Sequence, residues 1–226
     1  MKKQELAVRI FLSILGVTLA GISVSFLKLA ALGVDPFQAM MAGLNAVIPV
    51  PFGALYAVIG IMLLIFCFIV DRHYVGLASV ITLALQGYVI DFFKNVLFWL
   101  VPDAGVAVRG TSFLIGIVLL CFATAIYFTA DLGVSAYDAI ALIMTNTWKK
   151  GKFKFNRILT DCVCVILGSI TFLAAGNSLH SLLSVVGIGT VITAFCMGPL
   201  VAFFQQKITT PLLQKLLSSA ILFNAE

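Results

Sequence analysis

Charged side chains are scarce in this sequence: they make up 10% of its 226 residues, against 62% hydrophobic, with a mean hydropathy of +1.16. Soluble domains carry about 25% charged residues. A chain this poor in charge cannot clothe a water-facing surface, so the bilayer is its solvent. Histidine is nearly absent, with His73 and His180 each alone in a loop. The five cysteines, Cys67, Cys121, Cys162, Cys164 and Cys196, lie inside apolar runs without CxxC spacing. There they act as small hydrophobes. These absences exclude a disulfide framework, a metal site and a Cys/His catalytic pair. No Walker-type nucleotide loop is present either. No cofactor is expected, and with no nucleophile–base pair at membrane depth the chain is not read as an enzyme.

What charge there is has an excess of five positive units. The basic residues do not alternate with aromatics along a stripe, which excludes nucleic acid as a partner. They gather at Lys2, Lys3 and Arg9 and again in WKKGKFKFNR, residues 148–157, as expected near the cytoplasmic ends of membrane spans.

The sequence repeats itself. At an offset of 100, Val8-Arg9 matches Val108-Arg109, Gly16 matches Gly116, and Leu32-Gly33-Val34 matches Leu132-Gly133-Val134. Later the offset becomes 111: Gly76 matches Gly187, Val80-Ile81-Thr82 matches Val191-Ile192-Thr193, and Gly87 matches Gly198. The order of matches is kept, so we read repeat one over about 8–99, repeat two over about 109–206, and a tail over 207–226. The start, MKKQELAVR before an apolar run, has the form of a signal peptide. Its echo at 109–130 argues instead for a retained span.

Each half reads as an apolar helix (8–30 or 109–130), a short segment (36–48 or 136–147), and two further long helices (52–70 and 75–99, or 156–175 and 181–206). A span needs about 20 apolar residues, which the six long runs supply. The short segments cover well under the ~30 Å hydrocarbon core and read as re-entrant or interfacial helices. The expected fold is therefore an all-α polytopic membrane protein of six spans, with two homologous repeats. The recurring glycines 16, 116, 87 and 198 are expected at close helix contacts, and Pro199 at a kink.

At the head of each short segment the chain stops and restarts a helix. Asp35-Pro36-Phe37-Gln38 places Asp at the N-cap and Pro at the first helical position. Ser135-Ala136-Tyr137-Asp138 has the Ser-x-x-Asp form of a capping box. Asp35 and Asp138 serve either as caps alone or as groups of a shared polar cavity, where half-helix N-termini hold a ligand. Asp91 is ionisable at depth, with Lys94 one turn on, and is a candidate proton carrier. Gln86 and Tyr88 flank Gly87 and could line a polar path. Arg157 and Asp161, four residues apart, are expected to form an interfacial ion pair. The candidate substrate-binding residues are Asp35, Ser135, Asp138 and Asp91; the capping residues are Asp35, Pro36, Ser135 and Asp138.

Three spans per half would invert the second repeat relative to the first and leave both termini cytoplasmic. Only Lys28, Lys94 and Arg109 would then face outward. If the short segments crossed, the repeats would be parallel, and the recurrence of Val-Arg at 8–9 and 108–109 favours that. Segment length favours six spans and inverted halves. The tail, ITTPLLQKLLSSAILFNAE, reads as an amphipathic helix lying on the cytoplasmic interface.

LGVDPFQAMMAGL and its echo LGVSAYDAIALIM resemble the YczE/YyaS/YitT group of bacterial integral membrane proteins, over about residues 8–206. The resemblance implies a multi-pass protein of the bacterial plasma membrane and brings no substrate or catalytic residues. The second copy departs from it by replacing Asp-Pro with Ser-Ala.

The leading functional expectation is a small secondary transporter or permease. The alternative is a non-transporting accessory protein that anchors or assembles a cytoplasmic partner through the basic loop 148–157 and the tail. Besides the lipid bilayer, the expected partner is a small-molecule solute; pairing into a homodimer stays open.

Overall fold

The computed structural model describes residues 3–222. Residues 1, 2 and 223–226, which include Lys2 and the end of the tail, lie outside the described residues. The described residues are helical throughout, with no strand among them. In order they form α1 (Lys3–Ala30), α2 (Pro36–Val47), α3 (Phe52–Asp71), α4 (Leu77–Leu100), α5 (Val106–Ala130), α6 (Ala136–Leu142), α7 (Phe153–Ala174), α8 (Leu179–Leu182), α9 (Ile188–Phe204) and α10 (Thr210–Leu222). Six helices, counting α9 with its continuation, are long and apolar enough to cross a membrane. Large apolar side chains such as Ile69, Leu114 and Phe195 stand on their outer faces, as lipid-facing residues do.

The directions of the helices follow from their end-to-end contacts. Near the start of α1, Arg9 donates to the carbonyl of Ala130 at the end of α5 (2.9 Å). Near the start of α5, Arg109 donates to the carbonyls of Ala30 and Ala31 at the end of α1 (2.8 and 2.9 Å). The two helices are therefore antiparallel, each closing the other's C-terminal carbonyls, which an arginine does well. Gly16 and Gly116 let them approach, Gly16 against Ala123 and Tyr127 and Gly116 against Leu27. Lys28 at the end of α1 sits 3.6 Å over the ring of Phe52 at the start of α3. So the end of α1 and the start of α3 lie side by side. Likewise Thr147, just after α6, reaches Asp71 at the end of α3 (2.5 Å), so α7 starts on the side where α5 ended.

The breaks after α1 and α5 share their geometry. Ala31 and Asp131 adopt left-handed φ of 50° and 52°, and Gly33 and Gly133 follow at 106° and 101°. Glycine is required twice over at these two sites: φ is positive, and a Cβ would press on the backbone of Gly187 or Gly76. The turns then bond across the molecule in matching fashion. Val34 donates to Val185 (3.0 Å) and Val134 to Tyr74 (3.3 Å); Gly189 donates to Leu32 (2.7 Å) and Ala78 to Leu132 (2.9 Å).

Three expectations need correction. The last span begins at Ile188 rather than 181, because residues 183–187 are held in turns, with Val185 and Gly187 against the Leu32–Val34 turn. The tail is not separate from the last span: α9 runs through a π turn at Gln205–Thr209 into α10. Thr209 and Thr129 hydroxyls meet at 2.6 Å there, and Leu213 packs with Leu12 and Ile126. Gly198 does not sit at a helix contact, since a Cβ there would meet nothing within 4 Å.

Gly168 of α7 lies against α2, where an added Cβ would come 2.6 Å from the Ala39 carbonyl oxygen and 2.8 Å from the Met40 Cα. Gly168→Ala should destabilise the protein by ~1–3 kcal/mol, the usual range for overpacking. Thermal unfolding in detergent checks this, with Gly110→Ala, which meets nothing within 4 Å, expected to hold the midpoint or raise it slightly, as replacing a glycine inside a helix does.

Candidate functional site

The short helices α2 and α6 start where the chain re-enters the bundle. Phe37 and Tyr137, each in the first turn, stack ring on ring at 4.8 Å and 19°. The N-terminal ends of two half-length helices therefore meet inside the protein, with their unpaired N–H groups and positive dipole ends close together. At the first, the Asp35 carboxylate accepts from the Gln38 N–H (3.2 Å). At the second, the Ser135 hydroxyl accepts from the Asp138 N–H (3.1 Å).

The Ser-x-x-Asp box is only half made. A complete box would turn the Asp138 carboxylate back to the backbone of the cap residue. Instead it accepts from the Ser135 hydroxyl (2.6 Å), from the Tyr127 hydroxyl of α5, and from the Arg157 guanidinium of α7. A guanidinium within reach outcompetes one neutral N–H, because charge-assisted bonds are about twice as strong.

Arg157 organises the site. Its Nε lies 3.4 Å from Asp161, its Nη1 bonds Asp138, and its plane sits 4.4 Å over the Tyr137 ring. Asp161 accepts in turn from the Tyr137 hydroxyl. The expected Arg157–Asp161 pair is thus part of a larger cluster, and it is buried within the protein: Asp161 is 4% exposed and Asp138 6%. Buried charges are retained only when paired and hydrogen-bonded. Here two carboxylates share one guanidinium, and the hydroxyls of Tyr127, Tyr137 and Ser135 supply further bonds.

A cavity of about 390 Å³ opens from this cluster between α5, α7 and α9. Pro36, Asp138, Arg157 and Asp161 line it, with Thr193, Gly198 and Val201 of α9 and Gln205 just after it. Its other walls are mainly apolar, Phe128, Ile158 and Phe195 among them. A volume of this size, mostly apolar with a few convergent polar groups, is the usual form of a small-molecule site.

The other candidate residues fall elsewhere. Asp91 accepts from the Gly53 N–H at the start of α3 (2.9 Å), with Lys94 at 3.9 Å, and does not line the cavity. Gln86 accepts from the Tyr56 hydroxyl (3.1 Å), and Tyr88 packs on Gly53. Tyr127 and Tyr137 were not picked out by sequence reasoning, although Tyr137 lies within the second LGV motif. Its signal was there: a tyrosine buried next to a cap needs a partner for its hydroxyl. Gln38, at the position matched to Asp138, has a buried amide oxygen without a hydrogen-bond partner.

No solved structure matches the chain. It is similar to two proteins of Bacillus subtilis (strain 168). One is the uncharacterized protein YyaS, 26% identical over 201 residues that cover 89% of this chain and 94% of the relative. The other is the uncharacterized membrane protein YczE, 26% identical over 204 residues, covering 89% and 87%. With six helices fit to span a bilayer, this is a multi-pass membrane protein. Residues 7–206 match a family of unknown function, DUF6198, and the chain belongs to that family.

Proposed function

We propose that this protein is a small secondary transporter or permease that moves a small solute across the bacterial plasma membrane. The observation that carries the reading is the 390 Å³ cavity lined by the buried Arg157 cluster, where the starts of α2 and α6 meet. Discontinuous helices that present their N-termini to a site between two repeats are the architecture on which transporter sites form. Ionisable groups held inside a membrane bundle mark solute or proton pathways. In this reading α2 and α6 are re-entrant, and the halves are inverted repeats about an axis in the membrane plane. The antiparallel α1–α5 pair and the matched bonds at the two breaks support the inversion.

Within that frame Arg157, Asp138 and Asp161 bind and orient the solute in the cavity. Asp35 stands at the meeting point of the half-helices. Arg9, Arg72, Lys150 and Lys207 fall on one face and Lys28, Lys94 and Arg109 on the other. By the positive-inside rule the termini and the mouth near Gln205 are cytoplasmic.

Two measurements bear on this. Asp161→Asn keeps an acceptor for Tyr137 and leaves Arg157 paired with Asp138. Metabolite profiling of cells and medium should reveal a solute that redistributes with the wild-type protein. Its flux should fall at least tenfold in Asp161→Asn at equal expression and similar thermal midpoint. If no solute redistributes, the chain acts as an accessory protein instead. For orientation, fluorescent reporters fused after Lys150 and at the C-terminus should be active. A periplasmic-type phosphatase reporter should work in the 101–105 and 175–178 loops; activity after Lys150 would reverse the assignment.

A further inference from the structure

The two halves differ in one respect that their matched sequences do not require. Thr193, Ala194 and Gly198 line the large cavity beside α7, while their partners at the 111-residue offset, Thr82, Leu83 and Gly87, lie where α3 packs against α4. Thr82 and Leu83, with Ser135 and Ala136, border a cleft of only about 20 Å³, room for about one water. The pairing extends to the half-helices, since Pro36 stands at the large cavity and its match Ala136 at the small cleft. One half holds an open space and the other a closed one, at corresponding places beside the starts of α2 and α6.

The glycines carry the argument further. At Gly87 a Cβ would meet the Tyr56 Cβ at 2.8 Å and the Gly53 Cα at 2.9 Å, so α3 can close on α4 only because position 87 is glycine. At Gly198 nothing lies within 4 Å. Glycine inside a helix costs about 0.5–1 kcal/mol relative to alanine, and nothing in the present packing offsets that. A second arrangement would: α7 lying on α9 at Gly198, as α3 lies on α4 at Gly87.

We infer that the cleft bordered by Thr82, Leu83, Ser135 and Tyr137 is the second vestibule of the same pathway, closed here, and that it opens when α7 closes on Gly198 and α3 leaves Gly87. This rests on the transporter reading above and deepens it, giving the solute one mouth on each side of the membrane, open in turn. The two vestibules share the half-helix starts as their common floor. Each ligand-binding state then has one glycine contact made and one broken.

The test reads access and needs no cargo. In a background with the five native cysteines replaced by alanine, Leu83→Cys and Ala194→Cys are reacted with a membrane-impermeant maleimide from either side of oriented vesicles. Ala194→Cys should react from the face that carries Arg9, and Leu83→Cys, more slowly, from the opposite face. Adding Gly198→Leu, which meets open space and so should fold, is expected to slow Leu83→Cys at least tenfold and leave Ala194→Cys fast. Gly87→Leu should do the reverse. A Leu83→Cys rate that is the same with and without Gly198→Leu overturns the inference, and Gly198→Leu decides it even if Gly87→Leu does not fold. Rates that switch while no solute moves would sink the transport reading and leave the two-state inference standing. Solute flux with unswitched rates would do the opposite.

Discussion

Every helix end leaves about four backbone groups without a partner, and in hydrocarbon there is no water to take them. Much of what is unusual in this chain answers that constraint. The ends of α1 and α5 are closed by the arginine near the start of the other helix. The starts of α2 and α6 are closed by Asp35 and Ser135. Pro51, the cap residue of α3, offers no side-chain bond, and Asp91 from α4 serves the Gly53 N–H in its place. The turns at 31–34 and 131–134 hand their backbone groups to segments far along the chain. Breaking two helices inside the bundle is tolerated because several of the freed groups, Val34, Gln38, Val134 and Asp138 among them, find an oxygen of a cap or of a distant segment.

The charged cluster stands on that foundation. Bringing the starts of α2 and α6 together places Tyr137 under the Arg157 guanidinium and Asp138 beside it. In the first half Phe37, the match of Tyr137, meets Tyr56 of α3 edge-on at 5.7 Å. An aromatic pair in one half thus stands where the other half keeps a cation over an aromatic ring. The polarity is concentrated on one side of a shared framework, and the larger cavity lies on that side. The apolar half supplies rigidity through close glycine contacts, while the charged half holds the space.

The sequence carried the architecture in forms that local physics can read. Runs of apolar residues marked the six long helices, and Asp-Pro and Ser-Ala after LGV marked the two breaks. The capping residues were legible because a cap acts within three residues of itself. Arg157 and Asp161 were legible as a pair because four residues make one helical turn. The Arg157–Asp138 contact was not, since it depends on α6 packing against α7. Asp91 stood out by its charge at depth, yet what it binds is a backbone group of another helix, which no side-chain pattern announces. The late start of α9 escaped for the same reason: residues 183–187 are apolar enough to be helical but are held by the distant Leu32–Val34 turn.

The exchange of arginines between α1 and α5 also sets an order of assembly. Ala30 and Ala31 stay open until Arg109 has been made, and Ala130 can be closed only by an arginine already in the membrane. The first half is therefore unfinished when it leaves the ribosome, and the second half inserts against a waiting partner. One antiparallel pair thus seals the ends of both helices, and the first half has its C-terminal carbonyls closed only by a residue of the second.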